Sequence, residues 1–379
     1  LAPLSLPLAG PPMFALGAQL KSALAWSNGC QSALGPHVGD LHDLATRERW
    51  SDHIAAMSRL YGLTDATLVA DAHPDGYPLQ WAQTTQRQVT PIWHHHAHVV
   101  AGMVEHGWLD QTVLGIAADG TGLGPDGTIW GGEILEASVV GFRRMAHLRP
   151  FRLPGGEAAI HDIIRVAVSI AGCLDGVSAD AFASATGSYS SDVQAWLEVS
   201  RSHLAPVTTS LGRLFDAAAC IALGLHSVSY EGEAAMRLEA ACDPTVTGVY
   251  SWAIAESVPL QLDWRPAMHA MLADCIRGEV PGVMAERFHR GVAAVLVEAV
   301  GLLARSRADL TRVPVVLSGG VFQNRRLVEL VVERWPTNLG PLGLPGRIPP
   351  NDGGLAAGQL AIACARATTR GQEPNARAY

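Results

Sequence analysis

The sequence is short of the features that mark several common classes of protein. Its six cysteines are scattered, and no two of them form a CxxC pair. That spacing argues against a zinc ribbon or a redox dithiol and indicates reduced thiols, as in a cytoplasmic protein. Lysine and arginine form no run that could follow a phosphate backbone, and the net charge is −8, so nucleic acid is not expected as a partner. No stretch of about 18 uninterrupted apolar residues predicts a membrane span.

What the chain does have is length and apolar content. Its 379 residues are 48% hydrophobic, which is enough to bury a large interior. Domains of roughly 100–200 residues are the norm, so a chain of this length predicts two lobes or domains.

Strand and helix patterns alternate through the first part of the chain. Residues 13–30 predict two short strands joined by a tight turn that contains Gly17. Residues 45–62 have apolar side chains at helical spacing, and residues 66–74 predict a short buried strand. The stretch "HHAHVVAGMVEHG" predicts a helix that ends at Gly107. The order is that of an α/β lobe.

The scheme restarts after residue 111. Residues 112–122 predict an apolar strand that runs into a glycine-rich turn, and residues 313–335 predict a buried strand, a Gly-Gly turn and a helix. The prediction is therefore a duplicated α/β fold. Its parts are a first lobe over 1–110 with a closing helix over 353–370, and a second lobe over 111–352 with a helical insertion at about 155–310.

Three glycine-containing turns each follow an apolar strand, at 15–21, 116–122 and 316–324. Such turns direct backbone N–H groups toward anions, especially where a helix begins next. One turn of this kind is weak evidence, because most glycines in turns only satisfy backbone geometry. Three of them predict a phosphate-binding cleft between two lobes.

The motif "HHHAH" contains four histidines, at positions 94, 95, 96 and 98. On a helix, His94 and His98 lie one turn apart on the same face, which suits a shared metal ion. His95 and His98 form an alternative pair at a spacing of three. Packing without any metal also remains open from spacing alone, and His95 and His96 are expected to be supporting or packing residues.

Two aspartates are candidates to complete a metal site. Asp119 ends the apolar strand "LGIAADG", where a charged residue needs a partner or water. Asp352 lies in "PPNDGG", a turn that opens a helix, so it could instead be a simple N-cap. Imidazole and carboxylate together suit zinc, iron or manganese. Two of each leave room for substrate or water, as in a catalytic site.

Several motifs then fall in an order that resembles one family: "FALGAQLK", "HHHAH", "DGTGLGPDGTIWGGE", "GRLFDA", "YEGEAA", "LSGGVFQN" and "PPNDGG". They resemble the C-terminal carbamoyltransfer domain of HypF, a maturation factor of [NiFe]-hydrogenases, over roughly residues 11–365. That domain is related to tRNA threonylcarbamoyl transferases and to antibiotic O-carbamoyltransferases. The resemblance implies the two-lobed fold of actin, Hsp70 and sugar kinases (ASKHA). HypF proteins also carry acylphosphatase-like, zinc-finger and adenylate-forming domains, so we expect a truncated, stand-alone form.

The resemblance also implies roles for individual residues. The catalytic residues would be Lys21, a phosphate or carbamoyl contact, and Asp119. The metal ligands would be His94, His98, Asp119 and Asp352. The residues facing the nucleotide would be Gly120 and Gly122 in a phosphate loop, Asp216, Glu231 and Gly232 on the ribose and adenosine side, and Gly319, Gly320 and Asn324 on the second wall. The implied cofactors are a divalent metal (Fe, Zn or Mn, with Mg on the nucleotide) and ATP or carbamoyl-adenylate.

The function that the resemblance implies is carbamoyl transfer. Carbamoyl phosphate and ATP would supply the group through carbamoyl-adenylate, and the acceptor would be the C-terminal cysteine thiol of a HypE-type maturation protein. The product is the precursor of the iron cyanide ligands. His37 or His73 could assist proton transfer. Two alternatives stay open: an O-carbamoyltransferase acting on a small molecule, and a remnant that binds nucleotide and partner without chemistry of its own.

Overall fold

A computed structural model describes residues 1–6 and 10–372. The strands are β1 (Ala2–Pro3), β2 (Met13–Ala15), β3 (Ser22–Ser27), β4 (Ser32–Gly39), β5 (Thr67–Asp71), β6 (Val89–Ile92), β7 (Val113–Leu123), β8 (Ile129–Ala137), β9 (Phe142–Leu148), β10 (Phe151–Arg152), β11 (Val207–Thr208), β12 (Ala253–Ala255), β13 (Leu260–Asp263), β14 (Val315–Ser318) and β15 (Leu342–Gly343). The helices are α1 (Leu44–Tyr61), α2 (Tyr77–Thr84), α3 (His94–His106), α4 (Ala158–His161), α5 (Ile164–Ala171), α6 (Ala179–Thr186), α7 (Ser190–Arg201), α8 (Leu211–Leu223), α9 (Glu233–Ala241), α10 (Arg265–Ile276), α11 (Pro281–Ser306), α12 (Arg325–Arg334) and α13 (Asp352–Gln372).

The two sheets repeat one topology. In the first, the order is β1-β4-β3-β2-β5-β6, and in the second it is β12-β13-β9-β8-β7-β14-β15. Each contains an antiparallel meander of three strands, β2 to β4 or β7 to β9. Two parallel strands then extend each sheet beside the first strand of its meander. This duplicated order is that of the actin, Hsp70 and sugar-kinase fold, so the predicted fold class is confirmed.

Helices α3 and α13 lie together between the two sheets. A single apolar cluster contains Ala25 of the first sheet, Val316 of the second, and Val99 and Leu360 of the two helices. Helix α3 is buried on almost all sides, which accounts for the continuous run of apolar and small residues over 99–104. A side chain at Gly358 of α13 would overlap the carbonyl oxygen of Ala97 in α3. The close crossing therefore requires glycine and brings the first turns of both helices into one place.

The segment predicted as a helical insertion is not only helical. Helices α4 to α11 fill it, but β13 pairs in parallel with β9, and β12 pairs with β13 at the edge of the second sheet. Strand β11 adds a short pair with β8. These strands are two to four residues long, too short to show a period of two against an alanine-rich background.

The structure also differs from the glycine-rich turn that was predicted at the end of β7. The strand continues to Leu123, and its pairing with β8 shifts between Ala118 and Gly122. Three residues, Asp119 to Thr121, therefore bulge out of the ladder. The chain reverses later, where the Gly127 N–H donates to the Gly124 carbonyl. In residues 1–6 and 10–372, no helix has the length and apolar character needed to span a membrane.

Candidate functional site

Four predicted side chains meet at the boundary between the lobes, and we call them the His–Asp cluster: His94, His98, Asp119 and Asp352. One ligand atom from each lies within 4.8 Å of the other three. The two Nε2 atoms are 3.1 Å apart. Asp119 Oδ2 lies 3.2 Å from His94 Nε2 and 3.1 Å from His98 Nε2. Asp352 Oδ1 lies 3.4 Å and 3.3 Å from the same two nitrogens.

Most of these separations fit a metal ion. With metal–ligand bonds of about 2.1 Å, neighbouring ligand atoms are roughly 3.4 Å apart in a tetrahedron and roughly 3.0 Å apart in an octahedron. The five separations that involve a histidine nitrogen, 3.1 to 3.4 Å, fall between the two, and the two carboxylate oxygens lie within 4.8 Å of each other. The alternative pair of His95 and His98 does not fit a metal ion. His95 lies outside the group, with its Nε2 4.0 Å from Glu133 Oε2. The cluster could therefore hold a divalent ion through two nitrogens and two oxygens.

Local structure leaves Asp352 free for this task. The cap at the start of α13 is supplied by Asn351, whose Oδ1 accepts from the Gly353 N–H at 2.9 Å. Asp119 is oriented from the other side, because the Gly320 N–H donates to its Oδ1 at 3.0 Å. Its Oδ2 is the oxygen that faces the histidines.

Asp71, which sequence reasoning missed, orients His94. It ends strand β5, and its Oδ2 lies 2.5 Å from His94 Nδ1. Donation from Nδ1–H to this carboxylate leaves the lone pair on Nε2 directed into the cluster, the arrangement that metal-binding histidines commonly use. The signal was present in the sequence: like Asp119, Asp71 is a charged residue directly after an apolar run.

The electrostatics of the cluster call for positive charge at its centre. Burial opposes ionisation of all four groups, but their mutual attraction outweighs it. The pKa of Asp119 is lowered and that of Asp352 falls to about 2, mainly through the histidines. The pKa values of His94 and His98 are raised by the neighbouring carboxylates. Protons on the imidazoles supply the positive charge that a cation would replace.

Lys21 lies in the turn before β3 and has a backbone φ of 46°. Its Nζ is 2.9 Å from Glu231 Oε2 in the second lobe. Burial disfavours the charged form of Lys21, but the attraction of Glu231 outweighs this effect, so the pKa of Lys21 is raised. Two residues expected to contact different parts of a nucleotide therefore contact each other across the cleft.

The glycines of the predicted phosphate loop make room for side chains. A Cβ on Gly122 would lie 2.6 Å from carbon atoms of His94 and His95. A Cβ on Gly120 would lie 2.7 Å from Glu231 Oε1 and 3.2 Å from Arg213 Nη2. Neither position tolerates a larger residue without displacing a side chain of the site.

Asp216 is buried in the second turn of α8 and pairs with Arg213 of the first turn, at 2.7 Å between Oδ2 and Nη1. Burial raises the pKa of Asp216 to about 6, while Arg213 pulls it down. Both side chains are only 3% exposed. Asp216 thus holds Arg213 in place, and Arg213 is a second site residue that sequence reasoning missed, although both stand in "GRLFDA". Gly232, at φ 86°, leads directly into α9.

On the second predicted wall, Gly319 adopts φ 100°, and a Cβ there would overlap the Ala118 carbonyl. Gly320 uses its N–H to hold Asp119. Asn324 has both ends of its side chain engaged by other residues. Its Oδ1 caps α12 through the Leu327 N–H at 2.8 Å, and its Nδ2 lies 2.8 Å from His289 Nε2. Its contact with the nucleotide stays a prediction, beside these two hydrogen bonds.

The remaining histidines are not in the cluster. His96 Nε2 lies 2.8 Å from the Ser138 carbonyl. His95 packs against Trp130, with ring centroids 5.9 Å apart. His37 and His73 are exposed, and His73 Nδ1 accepts from the Asp75 N–H within a local turn.

The fold and the cluster define a two-lobed α/β protein with a candidate metal site between its lobes. Two family models match the chain: "HypF Kae1-like domain" over residues 9–105 and "Carbamoyltransferase, Kae1-like Domain, second subdomain" over residues 115–359. The chain belongs to the HypF carbamoyltransferase family.

Curated relatives agree with this assignment. A protein named carbamoyltransferase HypF from Synechocystis sp. is 34% identical over 92% of this chain and 46% of its own length. The carbamoyltransferase HypF of Rhodobacter capsulatus is 36% identical over 94% of this chain and 47% of its own. The chain thus spans about half the length of these relatives. A carbamoyltransferase HypF homolog of Cupriavidus necator is matched along 92% of its length at 32% identity.

Solved structures resemble the chain over almost its full extent. A crystal structure of full-length HypF in a phosphate- and nucleotide-bound form superposes with a TM-score of 0.89 at 29% identity, over 96% of this chain and 57% of that one. The structure of HypF from T. kodakarensis gives a TM-score of 0.82 at 24% identity, which supports the fold.

Proposed function

We propose that this chain transfers a carbamoyl group from carbamoyl-adenylate, derived from carbamoyl phosphate and ATP, to the C-terminal cysteine thiol of a HypE-type maturation protein. The observation that carries the proposal is the His–Asp cluster, with the cations Lys21 in the turn before β3 and Arg213 in the first turn of α8 nearby. Membership of the HypF family supports the carbamoyl group as the one transferred.

In this reaction the partner's thiolate sulfur forms a bond to the carbamoyl carbon. The bond from that carbon to the phosphate oxygen breaks, and AMP leaves with the electron pair. The thiol proton goes to solvent or to a base. Lys21 and Arg213 would stabilise the negative charge that grows on the leaving phosphate. The cleft between the lobes would hold donor and acceptor in the geometry of attack.

The four cluster residues would hold the divalent metal, with iron, zinc or manganese as the candidates for a site of two imidazoles and two carboxylates. A bound ion supplies Lewis-acid stabilisation of charge and orients the group it contacts. Asp71 keeps His94 in the tautomer that can serve as a ligand.

The nucleophile is proposed to come from the partner because three thiols of this chain that are buried or half-buried are poor candidates. Burial raises the pKa of Cys242 to about 12 and that of Cys364 to about 11. The pKa of Cys220 is raised as well. Thiols with raised pKa values are seldom present as the reactive thiolate.

The test is incubation of the purified chain with metal, a HypE-type protein and carbamoyl-adenylate, supplied directly in one arm and as carbamoyl phosphate plus ATP in another. Phosphate, AMP and the carbamoylated thiol are measured separately. The proposal expects one AMP for each carbamoylated cysteine, and no transfer to a partner whose terminal cysteine is replaced by serine.

The controls use two histidines of one helix. His94→Ala should abolish transfer, whereas His106→Ala, at the far end of α3, should leave it intact. Transfer to a small hydroxyl compound but not to the thiol would instead favour an O-carbamoyltransferase. Nucleotide binding with no transfer from either donor would identify a binding remnant and contradict the proposal.

A further inference from the structure

The carboxylate of Glu231 lies between two cations that belong to different lobes. Its Oε2 is 2.9 Å from Lys21 Nζ in the first lobe, and its Oε1 is 3.8 Å from Arg213 Nη2 in the second. The same carboxylate covers Gly120, since a Cβ at that glycine would lie 2.7 Å from Oε1. Gly120 follows the cluster residue Asp119 directly, so the carboxylate occupies the space beside the candidate metal site.

Arg213 is built into this place rather than resting on the surface. Its side chain is 3% exposed, and Asp216 fixes it from below. Its Nε is buried without a hydrogen-bond partner, whereas its Nη1 is paired with Asp216 Oδ2 at 2.7 Å. A guanidinium offers five N–H donors in a rigid fork that matches an oxyanion. Buried donors without acceptors are costly, so the guanidinium has capacity left for an anion.

Glu231 is held less firmly than the arginine below it. Its side chain is 23% exposed and that of Lys21 is 37% exposed. An ion pair with this much solvent contact contributes little to stability and exchanges easily. Glu231 also sits on the loop that leads into α9, two residues before the helix starts. The carboxylate can therefore leave without disturbing the buried structure.

From this arrangement we infer that Lys21 and Arg213 form one anion subsite across the lobes, and that Glu231 is its internal occupant. An incoming phosphate group displaces Glu231 and takes over its contacts to both cations. The subsite then passes from a protein carboxylate to a substrate oxyanion without leaving either cation unpaired. The inference deepens the proposed function by naming how that site receives a phosphate, and it gives Glu231 a task other than contacting ribose.

The experiment titrates inorganic phosphate into the 379-residue chain by calorimetry, with AMP in a second series. Glu231→Gln keeps the shape but removes the competing charge, so phosphate should bind about three- to fivefold more tightly. Lys21→Met should weaken phosphate binding by roughly tenfold, because a charge-assisted contact is lost. Glu198→Gln, on the exposed face of α7, changes the net charge equally and should have no effect.

A double variant sharpens the test. In the Lys21→Met background, Glu231→Gln should gain less than it does alone, because the two residues share one contact. Phosphate affinity that is unchanged or lower in Glu231→Gln would overturn the inference. Loss of AMP affinity with unchanged phosphate affinity would do so as well, and would return Glu231 to the ribose. Carbamoyl transfer is not measured here, so failure of this inference and failure of the proposed function are separate results.

Discussion

The His–Asp cluster and the anion subsite lie side by side but are built differently. The cluster is carried by the first turns of α3 and α13 and by the bulge of β7, and its four side chains are 1 to 14% exposed. The subsite joins a buried arginine to a lysine and a glutamate on loops, which are 37% and 23% exposed. Rigid, buried ligands suit an ion that stays, whereas exposed and mutually paired charges suit a group that arrives and leaves.

The largest effect should come from breaking the cluster itself. Asp119→Ala removes the carboxylate that faces both histidines, so the positive charge on His94 and His98 loses this partner. We expect metal affinity to fall by more than about 100-fold. Metal content after dialysis, measured by mass spectrometry, checks this. The His106→Ala protein serves as control, and full metal occupancy in Asp119→Ala would contradict the site.

A smaller loss is expected from the residue that orients His94. Asp71→Asn keeps the size of the side chain but removes the charge that fixes Nδ1–H. Replacing such a partner typically lowers metal affinity by about 10- to 100-fold. Competition with a chromophoric chelator measures the change. An affinity equal to that of the parent chain would show that His94 does not depend on Asp71.

The crossing of α3 and α13 brings the two ligand-bearing turns together. Its tightness can be tested by measuring the free energy of unfolding. Gly358→Ala places a methyl group against the Ala97 carbonyl in the layer between the sheets. We expect a loss of about 1–3 kcal/mol in the free energy of unfolding. Gly301→Ala in α11 is the matched control, because its added methyl meets only the flexible end of Arg305. That variant should be neutral or slightly stabilising. Equal stability of the two variants would argue against a tight crossing.

The smallest effect distinguishes a cap from a nucleotide contact. Asn324→Ala removes the acceptor at the start of α12, which should cost about 1 kcal/mol in denaturant unfolding. AMP affinity should stay within twofold of the parent chain. A large loss of AMP affinity with unchanged stability would restore Asn324 to the nucleotide wall and weaken the contrast between the two regions.

Much of the predicted structure followed from the spacing of residue types along the sequence. A separation of four on a helix singled out His94 and His98, because both side chains must then leave the same face. The repeated change from apolar strand to glycine turn indicated two similar lobes. The short strands β11 to β13 left no such signal, since two to four residues cannot establish a period. The bulge in β7 was also not predicted, because glycines occur both in turns and in bulges.

Sequence alone, then, determined the helical histidine pair, the aspartates that follow an apolar run or open a helix, and the family to which the chain belongs. Only the tertiary structure decided which charges meet. Lys21 and Glu231 are 210 positions apart, and Asp71 reaches a histidine 23 positions away. Periodicity describes the faces of one element, but contacts between elements depend on how whole sheets and helices pack. The same packing assigned Asn324 to a helix cap and gave Arg213 its place beneath Glu231.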